Sequence, residues 1–315
     1  MVSKVLQHTI AEVRAGRPVA LCAIVATRGS TPQPAGTIVC VDQAGQMTGT
    51  LGGGCMEADV RRRAHQCLAD GTGRVVTFAL DHDFGYDDGM LCGGEVDVAI
   101  AVQTHGHNVS DIILALEKVR CGGPAEIPLR VALENGRGEY RIRVEAAPRL
   151  LIAGGGHVGR ILAQMMVPLG FAVTVIDDRR QFANPERFPA PIEPVTGDIS
   201  ETLRHWPIDG NTYAVIVTRG HKHDEAALLA VVNSPARYIG MIGSHRKIKV
   251  IFDDLRHAGV PEERIARIHA PIGVDIGAVT AEEIALSIAA ELVSVRRAER
   301  VPPVTGPTMT PGPTP

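Results

Sequence analysis

Residues Arg149 to Gln164 read RLLIAGGGHVGRILAQ, and this stretch decides the fold. The apolar run Leu150 to Ala153 stops at a glycine cluster, and the segment after it repeats apolar residues at helical spacing. The order is strand, tight turn, helix. Gly154, Gly156 and Gly159 have the spacing GxGxxG. The first glycine permits the sharp turn, the second lets a phosphate approach the backbone, and the third lets helix and strand pack closely. Unpaired N–H groups at the helix start then face an anion. His157, inside the loop, reads either as a ligand contact or as a space-filler against the helix.

Downstream, a second apolar run, Phe171 to Ile176, ends in Asp177, 18 positions past Gly159. An acid at the end of the second strand is placed to accept hydrogen bonds from ribose hydroxyls. The chain then crosses a proline-rich segment, Pro185 to Pro194, before a strand over Tyr213 to Thr218 and another over Tyr238 to Ile242. Strands alternating with helices imply a parallel sheet, which binds ligands past its carboxyl edge. Arg219, His221, His223 and Asp224 lie just past one strand end, as polar contacts to a ligand or partner or as a solvated helix entry. His221-x-His223-Asp224 is also a metal-type set, without a matching ligand cluster elsewhere. Ser244, Arg246 and Lys247 follow the next strand end and would suit a phosphate or form plain surface, with Ser244 a helix N-cap. Thr280 and Glu283 have capping-box spacing at the start of the last helix.

Upstream, a helix is expected over Lys4 to Ala15, a buried strand over Val19 to Ala26, and a Gly/Pro-rich loop from Arg28 to Gly36. A strand over Thr37 to Val41 follows, then Gly52-Gly53-Gly54-Cys55-Met56-Glu57 and a helix ending at Gly71. Cys55 therefore falls at a helix N-terminus, where the peptide dipoles point their positive ends at the sulfur. It reads either as a reactive thiol beside a ligand loop or as a small cysteine after a turn. Gly73 to Leu80 and Glu95 to Val102 read as strands flanking a polar loop, Asp81 to Gly94, that contains Cys92. A helix over Asp111 to Val119 precedes a hairpin, Leu129 to Leu133 and Glu139 to Val144, joined through Asn135-Gly136.

The 315 residues have room for two domains, and with 45% apolar and 21% charged residues each can bury a core. A formal net charge of -3 and 3% aromatics argue against a nucleic-acid surface or an anionic membrane as partner. No apolar run reaches membrane-spanning length and no signal-type core opens the chain, so a cytoplasmic location is expected. The six cysteines all precede the glycine loop and are expected as thiols. The sequence thus predicts an α/β chain: an N-terminal α+β domain over 1–147, a doubly wound parallel sheet over 148–298, and a disordered tail over 299–315, where six prolines fall in the last fifteen residues.

Seven motifs in order carry a resemblance: GSTP at Gly29 to Pro32, GGGCME at Gly52 to Glu57, AGGGHVGR at Ala153 to Arg160, IDDR at Ile176 to Arg179, TRGHKHD at Thr218 to Asp224, IGMIGSHRK at Ile239 to Lys247, and the run from Gly273 to Glu291. Together they resemble the XdhC/CoxI family, the accessory proteins of xanthine dehydrogenase and related molybdenum hydroxylases. The resemblance implies a C-terminal Rossmann-like domain and a maturation factor. Such a factor binds the molybdenum cofactor, works with a cysteine desulfurase that supplies the terminal sulfido ligand, and hands the product to an apo-enzyme. The family's GGC segment falls on Gly53, Gly54 and Cys55, with Cys55 a molybdenum ligand or sulfur relay. Its Rossmann segment falls on Gly154 to Gly159 and Asp177. Gln33 departs from the pattern, since many relatives carry arginine after the GSTP motif.

A pterin dinucleotide has a pyrophosphate for the glycine loop and a ribose for Asp177, whereas bare molybdopterin has a monophosphate only. The expected protein is a homo-oligomeric cofactor chaperone. The competing readings are an NAD(P)-dependent oxidoreductase, for which no proton-relay residue stands out, and a protein-binding scaffold with a vestigial nucleotide fold.

Overall fold

A computed structural model describes residues 2–80, 93–104, 107–133, 136–298 and 302–310. The chain divides into two compact units, residues 1–146 with 301–315, and residues 147–300. The expected loop from Asp81 to Gly94, with Cys92, lies mostly outside the described residues, as does Asn135 of the expected hairpin turn.

In the first unit, β1 (Val19–Arg28) pairs antiparallel with β2 (Ile38–Val41) on one side and β5 (Glu95–Gln103) on the other. β3 (Met47–Thr48), β4 (Arg74–Ala79), β6 (Ala125–Leu133) and β7 (Gly136–Val144) extend the same sheet. The continuous apolar run of β1 follows from burial on both faces. Val19, Leu21, Ala23 and Val25 pack under α1 (Val2–Arg14) and α3 (His107–Arg120), whereas Ala20, Cys22 and Ile24 pack under α2 (Gly54–Asp70). Gly71 closes α2 in the left-handed conformation, at φ 67°.

The tail departs from expectation. Residues Val304–Thr310 form a strand, β14, antiparallel to β7 at the sheet edge, and the tail belongs with the first unit. Edge pairing needs main-chain hydrogen bonds and no buried side chains, so low hydrophobicity does not prevent it. Pro302 and Pro303 precede the strand, and Pro307 falls where the register shifts between Thr305 and Thr308, so its missing N–H interrupts no regular rung.

The second unit is the doubly wound sheet, all parallel, in the order β10-β9-β8-β11-β12-β13. Its strands are β8 (Arg149–Ala153), β9 (Ala172–Asp177), β10 (Glu193–Thr196), β11 (Thr212–Ile216), β12 (Tyr238–Met241) and β13 (Ile268–His269). Period-two alternation assigns each strand to two cores. Leu150 and Ile152 face α4 (His157–Met166) and α9 (Ala281–Ala298), while Leu151 and Ala153 face α5 (Ile199–His205), α6 (His221–Val231) and α7 (His245–His257). Each fully buried leucine or isoleucine stabilises by roughly 1.5–3 kcal/mol relative to exposure. A short α8 (Glu262–Ile265) precedes β13.

The proline-rich crossing hides β10. Pro194 lies within it, a placement an edge strand tolerates because one side of its ladder is unpaired. Strand order reverses between β8 and β11, so helices leave on opposite faces there and a crevice opens at the carboxyl edge. Among the described residues, no helix is long and apolar enough to cross a membrane.

Candidate functional site

The crevice of the second unit is a cleft of about 350 Å³. Gly154, Gly156, His157, Asp177 and Arg219 line it, as do Thr218 and His223. Gly154 sits at φ 113°, and its N–H donates to the Ile176 carbonyl at 2.8 Å. A Cβ on Gly155 would meet the Phe182 carbonyl oxygen at 2.0 Å, and one on Gly159 would meet the Gly154 carbonyl oxygen at 2.0 Å. The glycines at 155 and 159 are therefore packing requirements, and Gly159 lies on the buried face of the first turn of α4. Gly156 caps α4 without a side-chain acceptor, so the first-turn N–H groups face the cleft mouth, where His157 is exposed. His157 is a rim residue and fills no space in the core.

Asp177 is 1% exposed, and its carboxylate is taken up inside the protein. One oxygen accepts from Gly155 N–H at 2.9 Å and Arg179 Nη2 at 3.0 Å; the other accepts from Arg179 N–H at 3.0 Å and Nε at 2.9 Å. A carboxylate offers about four acceptor positions, and four donors fill them. A ribose hydroxyl would have to displace one. Burial opposes ionisation, but the Arg179 side chain and the backbone donors outweigh it and hold the carboxyl below its ordinary value. Arg179 also stacks on Phe182, 3.7 Å from the ring centre, and Arg187 donates to the Gly155 carbonyl at 3.1 Å. The sequence reading missed both arginines; the Asp-Asp-Arg run after a strand is the only signal for Arg179.

The residues expected beyond the next two strands separate. Arg219 stays at the cleft and pairs with Asp178 at 2.7 Å. Asp224 is fully buried, accepts from the Thr218 hydroxyl at 2.5 Å and N–H at 3.2 Å, and forms an ion pair with Lys247. Lys247 thus ties α7 to the start of α6 and is not among the cleft-lining residues. Ser244 caps α7, accepting from Lys247 N–H at 3.4 Å, and Arg246 is exposed. The set His221-x-His223-Asp224 does not assemble, because successive helical residues point apart. Asp224 points inward, His223 points to the cleft, and His221 faces Glu225 and Asp254.

The first unit presents a different loop. Gly52, Gly53 and Gly54 all have positive φ, 112°, 84° and 68°, which explains three successive glycines. Glu57 holds them: one of its oxygens accepts from the Thr50 hydroxyl at 2.7 Å, Leu51 N–H at 2.9 Å and Gly53 N–H at 2.9 Å. Burial resists the charge on Glu57, yet these hydrogen bonds hold its carboxyl below its ordinary value. Cys55, in the first turn of α2, is exposed, whereas Cys22, Cys40 and Cys67 are buried. Pro32 of the GSTP loop packs on Gly52, where a Cβ would lie 2.6 Å from the proline Cβ. Glu57 was not singled out from sequence, although an acid in the first helical turn is a known loop anchor.

Residues 12–79 match the family model described as the XdhC and CoxI family, and residues 150–292 match that of the XdhC Rossmann domain. The chain belongs to the XdhC and CoxI family. Over 280 residues it is 31% identical to the uncharacterized protein YqeB of Escherichia coli K12, covering 89% of this chain but only 44% of that protein. It is 24% identical to a Bacillus subtilis 168 protein named as a probable xanthine dehydrogenase component, over 88% of this chain and 93% of that one. It is 22% identical to the molybdenum cofactor insertion chaperone PaoD of Escherichia coli K12, over 93% and 88% of the two chains. A solved structure described as a xanthine dehydrogenase from Bacillus halodurans superposes with a TM-score of 0.79 at 21% identity, covering 94% of this chain and 96% of that one. That likeness shows that the two chains share a fold.

Proposed function

We propose that this chain binds the molybdenum cofactor and delivers it to a xanthine dehydrogenase-type apo-enzyme. In this reading it acts as a maturation factor, and a cysteine desulfurase supplies the terminal sulfido ligand before hand-over. The observation that carries the reading is Cys55: an exposed thiol in the first turn of a helix, on a glycine loop clamped by a carboxylate. It lies in a family whose relatives include a named molybdenum cofactor insertion chaperone.

The donor set suits the group. A thiolate is a soft metal ligand and a nucleophile, fit to hold molybdenum or relay sulfur. Among the described residues Cys55 belongs to no cluster of three or more His, Cys, Asp and Glu, so it would act as a single thiolate ligand. At the cleft, the uncapped first turn of α4 supplies N–H groups for a phosphate, and His157 and Arg219 stand at its rim. Asp177 spends its acceptors on the loop, so cleft recognition rests on phosphate, which both the monophosphate and the dinucleotide form carry. The cofactor, when bound, supplies the metal chemistry; the protein's part is to hold the phosphate, present Cys55 and release the cargo. A homo-oligomeric carrier in the cytoplasm is part of the same proposal.

The test is to purify the chain from cells with cofactor biosynthesis intact and assay molybdenum and pterin. Both are expected to co-purify, and Cys55→Ala should fold normally yet activate the client enzyme poorly. If neither is retained while NAD(P)H binds tightly, the oxidoreductase reading replaces this one. Full client activation by Cys55→Ala would remove the cysteine from the mechanism.

A further inference from the structure

We propose that His221, Glu225 and Asp254 form a binding site for a divalent transition cation of the zinc type on the α6–α7 side of the second unit. The three ligand atoms lie within 4.8 Å of one another. They form the group of this kind found among the described residues. His221 and Glu225 share one face of α6 at the i, i+4 spacing, and Asp254 comes across from α7. His221 Nε2 is 4.0 Å from a Glu225 oxygen and 3.8 Å from an Asp254 oxygen.

These separations exceed the roughly 3.2 Å limit of a good N–H···O bond. They are somewhat wider than the roughly 3.4 Å between two tetrahedral ligands on bonds of about 2.1 Å, a gap that small rotations of half-exposed side chains would close around one ion. The charges also point to a cation. Among the described residues, neither Glu225 nor Asp254 has a Lys or Arg ion-pair partner, while their sequence neighbours do: Asp224 pairs with Lys247, and Asp253 with Arg256 at 2.8 Å. Among the described residues the two carboxylates share His221 alone, which offers at most one positive charge, and a dication between them would balance both. One imidazole nitrogen with two carboxylate oxygens suits zinc; calcium asks for six or more oxygens, and magnesium keeps most of its waters. All three side chains are half-exposed, so solvent reaches the site and a water or an anionic oxygen would complete the shell. The bound ion would tie the start of α6, with the cleft residue His223 and the preceding turn that carries Arg219, to α7. This site stands independently of the cofactor proposal.

The experiment uses the untagged full-length chain, stripped with EDTA and titrated with Co²⁺ and then Zn²⁺. One equivalent of Co²⁺ should bind with d–d absorption and no thiolate charge-transfer band, Zn²⁺ should displace it, and Zn²⁺ should raise Tm. His221→Ala, Glu225→Gln and Asp254→Asn should each weaken binding by roughly a hundredfold or more and abolish the Tm shift. Glu225→Gln keeps the side-chain shape, so its fold serves as the control. Absence of binding at millimolar metal, a thiolate charge-transfer band, or unchanged affinity in all three variants would overturn the site.

Discussion

The two glycine loops, Gly52 to Gly54 and Gly154 to Gly159, use one device for different ends. In each, a buried or half-buried carboxylate accepts loop N–H groups: Glu57 from Leu51 and Gly53, Asp177 from Gly155. The first loop needs Gly53 and Gly54 for conformation, since both have positive φ and a Cβ on Gly53 would meet nothing within 4 Å, while Gly52 combines a positive φ with the close approach of Pro32. The second needs Gly155 and Gly159 for space, because the Phe182 and Gly154 carbonyls crowd them, and Gly154 for its positive φ. The first ends in an exposed thiol, the second in uncapped N–H groups. A glycine motif therefore specifies backbone freedom or close approach, and the side chain beside it specifies the chemistry.

The contrast breaks most sharply at single alanines. Gly155→Ala should cost about 3 kcal/mol or fail to fold, because carbonyl oxygen already occupies the methyl's place. Gly53→Ala should cost only backbone strain, about 1–3 kcal/mol, because φ 84° with ψ -176° lies in a region open essentially to glycine alone. Urea unfolding of both variants decides this, and equal losses would erase the distinction between space and conformation.

The clamps come next. Asp177→Ala strands the Gly155 N–H and the Arg179 guanidinium and should cost about 2–3 kcal/mol. Glu57→Ala, at a more exposed loop, should cost about 1 kcal/mol and change the rate at which Cys55 is alkylated. An unchanged alkylation rate would separate the clamp from the thiol.

Acid should loosen both loops. Glu57 and Asp177 titrate below their ordinary values of 4.5 and 3.8 when folded. Each therefore contributes stability above those values, and that contribution disappears as pH falls through the lowered folded values. The stability gap between the wild type and Glu57→Gln should be full at neutral pH, begin to shrink below pH 4.5, and close once pH falls through the lowered folded value. A gap that persists in strong acid would show that the carboxylate charge is not what holds the loop. Smallest of all, Cys55→Ala should shift stability by less than about 0.5 kcal/mol, as expected for an exposed side chain. A larger thermal shift would give this cysteine a structural role.

Much of this was legible in the chain. Continuous apolar runs placed β1, β8 and β9, helical spacing placed α4 and α9, the Thr280–Glu283 capping box forms with bonds of 2.9 and 3.2 Å, and Ser244 caps α7. These are local, set by residues a few positions apart. What escaped was set by partners far away. β10 needs β9 as a template, and β14 needs the free edge of β7, so neither Pro194 nor the Pro-rich tail reveals its strand.

The same reason divides the candidate sites. Sequence by itself determined the family motifs, the alternation of strands and helices that gives a doubly wound fold class, the turn at Gly154 and the position of Cys55 at a helix start, because each depends on local backbone geometry and patterning. Only the tertiary structure decided where the polar side chains spend their hydrogen bonds. Asp177 turns to Gly155 and Arg179, Lys247 turns to Asp224, and His221 turns to Asp254, 33 residues downstream. A carboxylate or an ammonium binds the partner that packing brings within reach, and spacing along the chain does not encode that partner.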